Sequence, residues 1–300
     1  MHRNALATKL ASCAQVVYAF SLNNVGGNPA GVVVHDPDPA VTDEVQREVA
    51  SIINHPETAF VERNPFSDSE SDIVRCAIRW FTPSGVEVDL CGHATLAAAH
   101  DILRDQAHKT LILMTRHAGE LVVHSSPGGY RMEFPEVHLD FDLREDMNAC
   151  ASFNKCFIQS LGTPLRLKLL GRTSIGDLVV VGQSPEDVEN LLTPSVKAAL
   201  LSLESTDVQQ LRVFRGLIAV AKMPHAGSPY DFVSRFFAPH IGIEEDPCTG
   251  SAHCFLGPYM CSLLGKKRVV GRQLGPGGGG VVTCEALDGG RVALYGMCRS

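Results

Sequence analysis

Short apolar runs separated by turn residues dominate the first 135 residues of the chain. They are rich in β-branched and aromatic residues, which predicts β-strands. The runs are QVVYAF, AGVVVH, ETAFVE, VRCAIRWF, TLILMT, ELVVH and YRMEFP. Their tight connections favour antiparallel pairing, because parallel neighbours need a long crossover. One helix is predicted among them in "VTDEVQREVASII", where Thr42 fits the N-cap and the apolar positions Val45, Val49, Ile52 and Ile53 recur at helical spacing.

The second half of the chain repeats this pattern after a boundary near residues 134–140. The predicted strands are LRLKLL, DLVVVG, LRVFRGLIAVAK and DFVSRFFA, and the predicted helices cover 144–160, 185–192 and 195–204. The tail "VVTCEALDGGRVALYGM" predicts a hairpin that turns at Asp288-Gly289-Gly290.

Two stretches of the chain share one outline, "FTPSGVEVDLCGHATLAAAH" from Phe81 and "FAPHIGIEEDPCTGSAHCF" from Phe237, an offset of 156 residues (237 − 81). A repeat at half the chain length indicates a duplication into two similar domains. Each stretch ends in a helical run that is apolar nearly all round, which is typical of a helix buried on every side. We therefore expect an α+β protein with two pseudo-symmetric domains, 1–134 and 135–289, each a sheet wrapped around a central helix. A strand near 290–300 is expected to pack back onto the first domain.

The starts of these two helices predict a binding site for an anion. A helix N-terminus carries unpaired N–H groups and a partial positive charge, and both favour carboxylates. Two N-termini facing one interdomain cleft would hold a small anionic substrate between acid and base groups. The alternative is that both are ordinary helix starts with small capping residues.

Composition narrows the possible partners and compartments. The net charge of −7 and a pI near 5.9, without a dense Lys/Arg patch, argue against nucleic acid. We expect no membrane span, since no apolar run approaches the ~18 residues that one needs. Ten cysteines without a Cys-x-x-Cys motif indicate reduced thiols and a cytoplasmic protein. The first 35 residues lack Asp and Glu, which leaves an organellar transit peptide as a weak alternative.

Four motifs in order resemble the phenazine-biosynthesis PhzF-like proteins of the diaminopimelate epimerase/proline racemase fold superfamily. They are "GGNPAGVVV" (26–34), "NHPETAFVE" (54–62), "RWFTPSGVEVDLCGHATLAAAH" (79–100) and "SRFFAPHIGIEEDPCTGSAH" (234–253). The resemblance implies two pseudo-symmetric domains, each a mostly antiparallel barrel-like sheet around a central helix. It also implies a homodimer and a cofactor-independent isomerase without a metal.

The resemblance also implies roles for single residues. Glu57 corresponds to the general acid/base, and a carboxyl group in a dry cleft can both donate and accept a proton near neutral pH. His93 and Asp246 are the other expected catalytic residues, and the expected substrate-binding residues are Gly92, Gly250, Ser251 and Asn28. The chain departs from the family pattern at Pro56, where many members have Ser, and in "GPGGGG" (275–280), which lacks a frequent Arg.

The thiols leave a second interpretation open. Racemases of the same superfamily use one Cys from each domain at a helix N-terminus, where the dipole stabilises the thiolate. Cys91 in "LCGHAT" and Cys248 in "PCTGSA" resemble those two motifs, although a Gly is missing after Cys248. Catalysis by this pair is therefore the alternative to Glu57, and a non-catalytic ligand-binding or scaffold role is the third possibility.

Overall fold

The computed structural model describes residues 2–64, 72–106, 109–224 and 227–300. The strands are β1 Gln15–Ser21, β2 Asn28–His35, β3 Glu57–Arg63, β4 Ile73–Phe81, β5 Glu87–Val88, β6 Thr110–Met114, β7 Glu120–Ser126, β8 Gly129–Pro135, β9 Leu139–Asp142, β10 Leu167–Thr173, β11 Asp177–Gly182, β12 Gly216–Lys222, β13 Phe232–Phe237, β14 Arg268–Gln273, β15 Gly280–Leu287 and β16 Arg291–Arg299. The helices are α1 His2–Cys13, α2 Asp43–Ile53, α3 Gly92–Leu103, α4 Met147–Phe153, α5 Pro185–Glu189, α6 Thr193–Leu203, α7 Gln209–Arg212 and α8 Gly250–Leu264. The chain divides into two compact units: the first runs to Phe134 and includes Ala293–Ser300, and the second is Pro135–Val292.

The first unit is a closed eight-stranded barrel around α3. The strands follow the order β1-β2-β3-β4-β6-β7-β8-β16, and β1 pairs with β16 to close the ring. Helix α3 packs against β1, β2 and β3, and every residue from His93 to Ala99 is buried. Gly296 of β16 permits this packing, because a Cβ there would lie 2.4 Å from the Phe20 ring and 2.8 Å from Leu96. The short alanine-rich sequence of α3 therefore suits the limited space inside the barrel.

The second unit is built on a seven-stranded sheet in the order β15-β14-β13-β12-β11-β10-β9. Helix α8 packs against β14 and β15, and most of its residues from Gly250 to Cys261 are buried. A separate apolar core gathers under α4, α5 and α6, with Phe153 and Phe157 stacked at its centre. The expected fold class, an α+β protein with barrel-like sheets around central helices, is confirmed.

The expectation of mostly antiparallel sheets is confirmed, with four parallel pairs among them. Most strand pairs are antiparallel, but β2–β3, β4–β6, β11–β12 and β13–β14 run parallel. Each parallel pair is separated along the chain by at least one helix, which supplies the crossover that parallel strands need. The pairs β4–β6 and β13–β14 enclose α3 and α8, so the two repeated stretches share one strand–helix–strand topology.

Three local predictions need correction. The helix expected over 144–160 is α-helical only over Met147–Phe153 and continues as a π-helical turn, Asn154–Ile158. The run read as one strand, "LRVFRGLIAVAK", divides into α7 and β12. Helix α1 was not predicted; it packs on α2 and buries Ala7, which ties the acid-free N-terminus to the first unit. Within the described residues, the helices are all too short or too polar to cross a membrane.

Candidate active site

Glu57, His93 and Cys91 come together at the N-terminus of α3. Glu57 is the first residue of β3, His93 is the second residue of α3, and Cys91 is the N-cap. The His93 Nε2 atom lies 3.2 Å from Glu57 Oε2, and Nδ1 lies 3.4 Å from Cys91 Sγ. The side chains of His93 and Glu57 are only 10% and 15% exposed. One imidazole therefore links a thiol and a carboxylate in a mostly buried setting.

This arrangement can hold and transfer a proton. The His93 Nε2 atom lies at ion-pair distance from the Glu57 carboxylate but makes no hydrogen bond among the described residues. Nδ1 is left to bond with the Cys91 thiol. The trio thus brings three acid–base groups within reach of one another.

The same three side chains carry ligand types that bind metal ions. Their ligand atoms all lie within 4.8 Å of one another. A histidine binds an ion through one ring nitrogen, whereas His93 turns opposite nitrogens toward Cys91 and Glu57. A chain of polar contacts through the ring fits this geometry better than ligands that converge on one ion.

The start of α3 also offers backbone donors. Gly92 is its first residue, and the Cys91 side chain makes no capping hydrogen bond. The N–H groups of the first turn therefore keep the donor capacity that anions use. Asn28, the first residue of β2 and another expected site residue, is completely buried. Of the site residues expected in the first unit, Glu57, Gly92 and His93 therefore lie at this helix start, and Asn28 lies two residues before Ala30, which pairs with Glu57.

In the second unit, α8 begins at Gly250 with Thr249 as its N-cap. The Thr249 hydroxyl donates to the Asp246 carboxylate. The Gln273 side chain accepts from the Thr249 N–H at 2.9 Å and donates to the Asp246 carbonyl oxygen at 2.8 Å. These bonds hold the Asp246 carboxylate beside the start of α8.

Ser251 has a partner that sequence reasoning missed. Arg215 Nη2 donates to Ser251 Oγ at 3.1 Å, and the guanidinium forms a bidentate pair with Asp177 at 2.8 and 2.5 Å. Burial raises the pKa of the Asp177 carboxyl, and the Arg215 guanidinium opposes that shift. Arg215, neutralised by Asp177, thus places a guanidinium donor at the N-terminus of α8. It lies 36 residues before Ser251, in a run that reads as plain strand, so no local pattern marks it.

The two candidate thiols are not equivalent. Cys91 is the N-cap of α3, whereas Cys248 precedes the N-cap of α8 by one residue and is completely buried. Burial, with a smaller contribution from the Asp246 charge, raises the pKa of the Cys248 thiol well above its usual value. Cys248 is therefore a neutral core thiol.

The fourth residue after each N-cap bonds back to the carbonyl oxygen of that cap. Thr95 Oγ1 donates to the Cys91 oxygen at 2.6 Å, and His253 Nδ1 donates to the Thr249 oxygen at 2.8 Å. The histidine that the sequence places after the second motif is thus a hydrogen-bonded core residue. The two units share this hydrogen bond, which supports the predicted duplication.

Comparison with known proteins adds the family context. A model of the phenazine biosynthesis-like protein family matches residues 17–275. An uncharacterised isomerase of Pseudomonas aeruginosa is 37% identical over 93% of this chain and 92% of its own length. A crystal structure of a phenazine biosynthesis PhzC/PhzF protein from Clostridium difficile has a TM-score of 0.72 at 32% identity and covers 95% of both chains. A hydroxyproline epimerase of Agrobacterium vitis, at a TM-score of 0.54 and 12% identity over 96% of this chain and 88% of its own, shares the fold.

Proposed function

The chain belongs to the phenazine biosynthesis-like protein family, and we propose that it is a cofactor-independent isomerase that moves a proton on a small carboxylate substrate. The observation that carries the proposal is the contact of 3.2 Å between Glu57 and His93 at the start of α3. A carboxylate held there can act as both the base that removes a proton and the acid that returns it.

The mechanism follows from the position of each group. Glu57 removes a proton from a carbon conjugated with the substrate carboxylate and returns it at another carbon. The His93 ring lies against the Glu57 carboxylate and so restricts its orientation during both transfers. The N–H groups at Gly92 stabilise the negative charge that develops while the proton is away.

Further substrate contacts are proposed at the start of α8. Gly250 and Ser251 offer a backbone N–H and a hydroxyl there, and Arg215 donates to the Ser251 hydroxyl. Asp246 is proposed as a further acid–base group, oriented by the Thr249 hydroxyl. Asn28 is proposed to bind substrate from the start of β2.

The two-cysteine racemase is the competing function. It draws support from the 3.4 Å contact between Cys91 and His93, which is the arrangement of a thiol beside a base. It is opposed by Cys248, whose buried thiol has a pKa well above its usual value. A two-base mechanism needs both thiols, so Glu57 remains the better candidate. The third possibility is a non-catalytic binding or scaffold protein.

The test is exchange of substrate protons with solvent. A panel of small amino, hydroxy and unsaturated carboxylates is incubated with the protein in D2O, and deuterium uptake is followed by NMR. Glu57→Gln should abolish uptake while leaving ligand binding nearly intact, because the amide keeps the shape but cannot carry the proton. Cys91→Ala and Cys248→Ala should keep most of the activity.

Each alternative predicts a different outcome. A strong loss with either Cys variant, together with an active Glu57→Gln, would support the racemase. No uptake with any compound and no ligand-induced rise in Tm would support the scaffold.

Assembly and location complete the proposal. We propose a homodimer, which light scattering coupled to gel filtration would test by giving twice the chain mass of 32.3 kDa. We also propose a cytoplasmic location, because all ten cysteines are free thiols and free thiols persist in a reducing compartment. Imaging of a C-terminally tagged chain would test it against the organellar alternative.

A further inference from the structure

We propose that Arg79 and Arg235 are positioning residues, each of which sets the path of the loop that enters the N-terminus of a central helix. Neither residue belongs to the proton-transfer group described above. The two arginines lie 156 residues apart (235 − 79), the same offset that relates Phe81 and Phe237. Each forms a bidentate pair with a Glu and lies over the ring of the Phe two residues later.

In the first unit, Arg79 clamps the loop before α3. Its Nε donates to Glu87 Oε1 and its Nη2 to Glu87 Oε2, both at 2.7 Å. The guanidinium also lies 4.9 Å from the centre of the Phe81 ring. These contacts fix both the position and the orientation of the Glu87 carboxylate, because a bidentate pair constrains the plane as well as the distance.

Arg79 ties this loop to α2 as well. Its Nη1 donates to Asp43 Oδ1 at 2.7 Å and to Gln46 Oε1 at 2.8 Å. The hydrogen bond from Arg79 lowers the pKa of the Glu87 carboxyl, so the pair stays charged at neutral pH. The side chains of Arg79 and Glu87 are 18% and 17% exposed. One side chain therefore joins β4, α2 and the loop.

In the second unit, Arg235 repeats the clamp on the loop before α8. Its Nε and Nη2 donate to Glu245 at 2.7 and 2.9 Å, and its guanidinium lies 4.9 Å from the centre of the Phe237 ring. Where Arg79 contacts α2, Arg235 contacts the segment between α5 and α6. The Leu191 carbonyl oxygen accepts from Arg235, and the Thr193 hydroxyl donates to Glu245 at 2.6 Å.

The spacing connects the clamps to the helix starts. Glu87 lies four residues before the N-cap Cys91, and Glu245 lies four residues before the N-cap Thr249. Strands β4 and β13 are already held by their ladders, and Glu87 itself pairs with Phe81 through the short strand β5. The clamps therefore add restraint mainly to the segment between each Glu and its helix. Buried ion pairs contribute little net stability because desolvation offsets attraction, but each admits one geometry. An ion pair that adds little stability but fixes one geometry can hold the loop in place and so align the N–H groups at the start of the helix.

The inference rests on the proposed function only in assigning substrate binding to these helix starts. Its test therefore uses thiols as local reporters and needs no substrate. The native full-length protein is treated with iodoacetamide between pH 6 and 9, and alkylation of Cys91, Cys248 and Cys13 is followed by peptide mass spectrometry. Cys91 and Cys248 report the two helix starts, and the exposed Cys13 is the internal standard.

The variants are Arg79→Lys and Arg235→Lys, which keep the charge but lose the bidentate geometry. Arg79→Lys should raise the alkylation rate of Cys91 by about tenfold, because a loop held by a single contact opens more often. Arg235→Lys should do the same for Cys248. Each variant should leave the thiol of the other unit and Cys13 unchanged.

Arg131→Lys is the matched control, since Arg131 pairs with Glu133 and bonds Tyr295 in the first unit, away from the loop before α3. It should not change the rate at Cys91. Equal rates at Cys91 in Arg79→Lys and Arg131→Lys would overturn the proposal. If Arg79→Lys does not fold, Glu87→Gln tests the same pair from the other side and should also raise the rate at Cys91.

The result separates the two proposals. Unchanged alkylation rates in Arg79→Lys and Arg235→Lys would refute the positioning role, and they would not affect the proposal of proton transfer by Glu57. Solvent exchange that survives Glu57→Gln would remove the proposed mechanism and leave the clamps in place. With a substrate from the panel, Arg79→Lys should raise KM more than it lowers kcat, a split that a general loss of folded protein does not produce.

Discussion

Acid should destabilise this protein through His253, a residue with no proposed role in the reaction. His253 is completely buried in α8, with the Phe232 ring centred 5.9 Å from its own. Its Nδ1 donates to the Thr249 carbonyl oxygen, and its Nε2 has no hydrogen-bond partner among the described residues. Protonation would place a charge on Nε2 in this buried setting. Burial accordingly lowers the pKa of His253 from its usual 6.5 to about 4.

The sign and size of the effect follow from this difference. The unfolded chain takes up the proton as pH falls through 6.5, whereas the folded chain takes it up only near pH 4. Between these values the unfolded state binds more protons, so the free energy of unfolding falls as pH falls. A pKa difference of about 2.5 corresponds to about 3 kcal/mol in total. Above pH 6.5 both states are neutral at this residue, and the contribution no longer changes with pH.

The assay is urea unfolding of the wild type and His253→Leu at pH 7.0, 5.5 and 4.5. Leucine fills a similar volume but cannot titrate. Loss of the bond to Thr249 therefore changes the free energy of unfolding of the variant by the same amount at every pH. Between pH 7.0 and 4.5 the wild type should lose about 2–3 kcal/mol more than His253→Leu. His117→Gln is the control, because that side chain is 53% exposed, and its curve should follow the wild type. Parallel curves for wild type and His253→Leu would refute the reasoning.

Four further predictions concern other residues and the ligand. Cys248 should react with iodoacetamide at least about a hundredfold more slowly than the exposed Cys13 at pH 8, because burial keeps its thiol neutral and shielded; equal rates would contradict the assigned burial. Gly271→Ala should lower stability by about 1–3 kcal/mol in a thermal melt, since the new Cβ would lie 2.2 Å from Phe232 Cζ; an unchanged Tm would be inconsistent with this packing. Ser251→Ala should weaken binding of a small carboxylate by about 1–3 kcal/mol in calorimetry. Wild-type affinity should change little between low and physiological salt; a steep dependence on salt would place the ligand on a basic surface instead.

Local patterns in the sequence determined a large part of this structure. The strands of the first unit follow the β-branched runs, and the cap at Thr42 accepts from the Val45 N–H as its position predicts. The two stretches from Phe81 and Phe237 both lead into buried helices, α3 and α8. Propensity, capping and apolar periodicity act over a few neighbouring residues, so they can be read along the chain.

Tertiary structure alone decided which distant residues meet. Glu57 and His93 are 36 positions apart, as are Arg215 and Ser251, and nothing periodic links either pair. Arg79 finds Asp43 because α2 packs beside β3 and β4. The parallel crossovers and the barrel closure between β1 and β16 are likewise choices among pairings that local patterns leave equally possible. The physical reason is that pairing between distant strands and helices depends on how the whole core is buried, and that free energy belongs to no single segment.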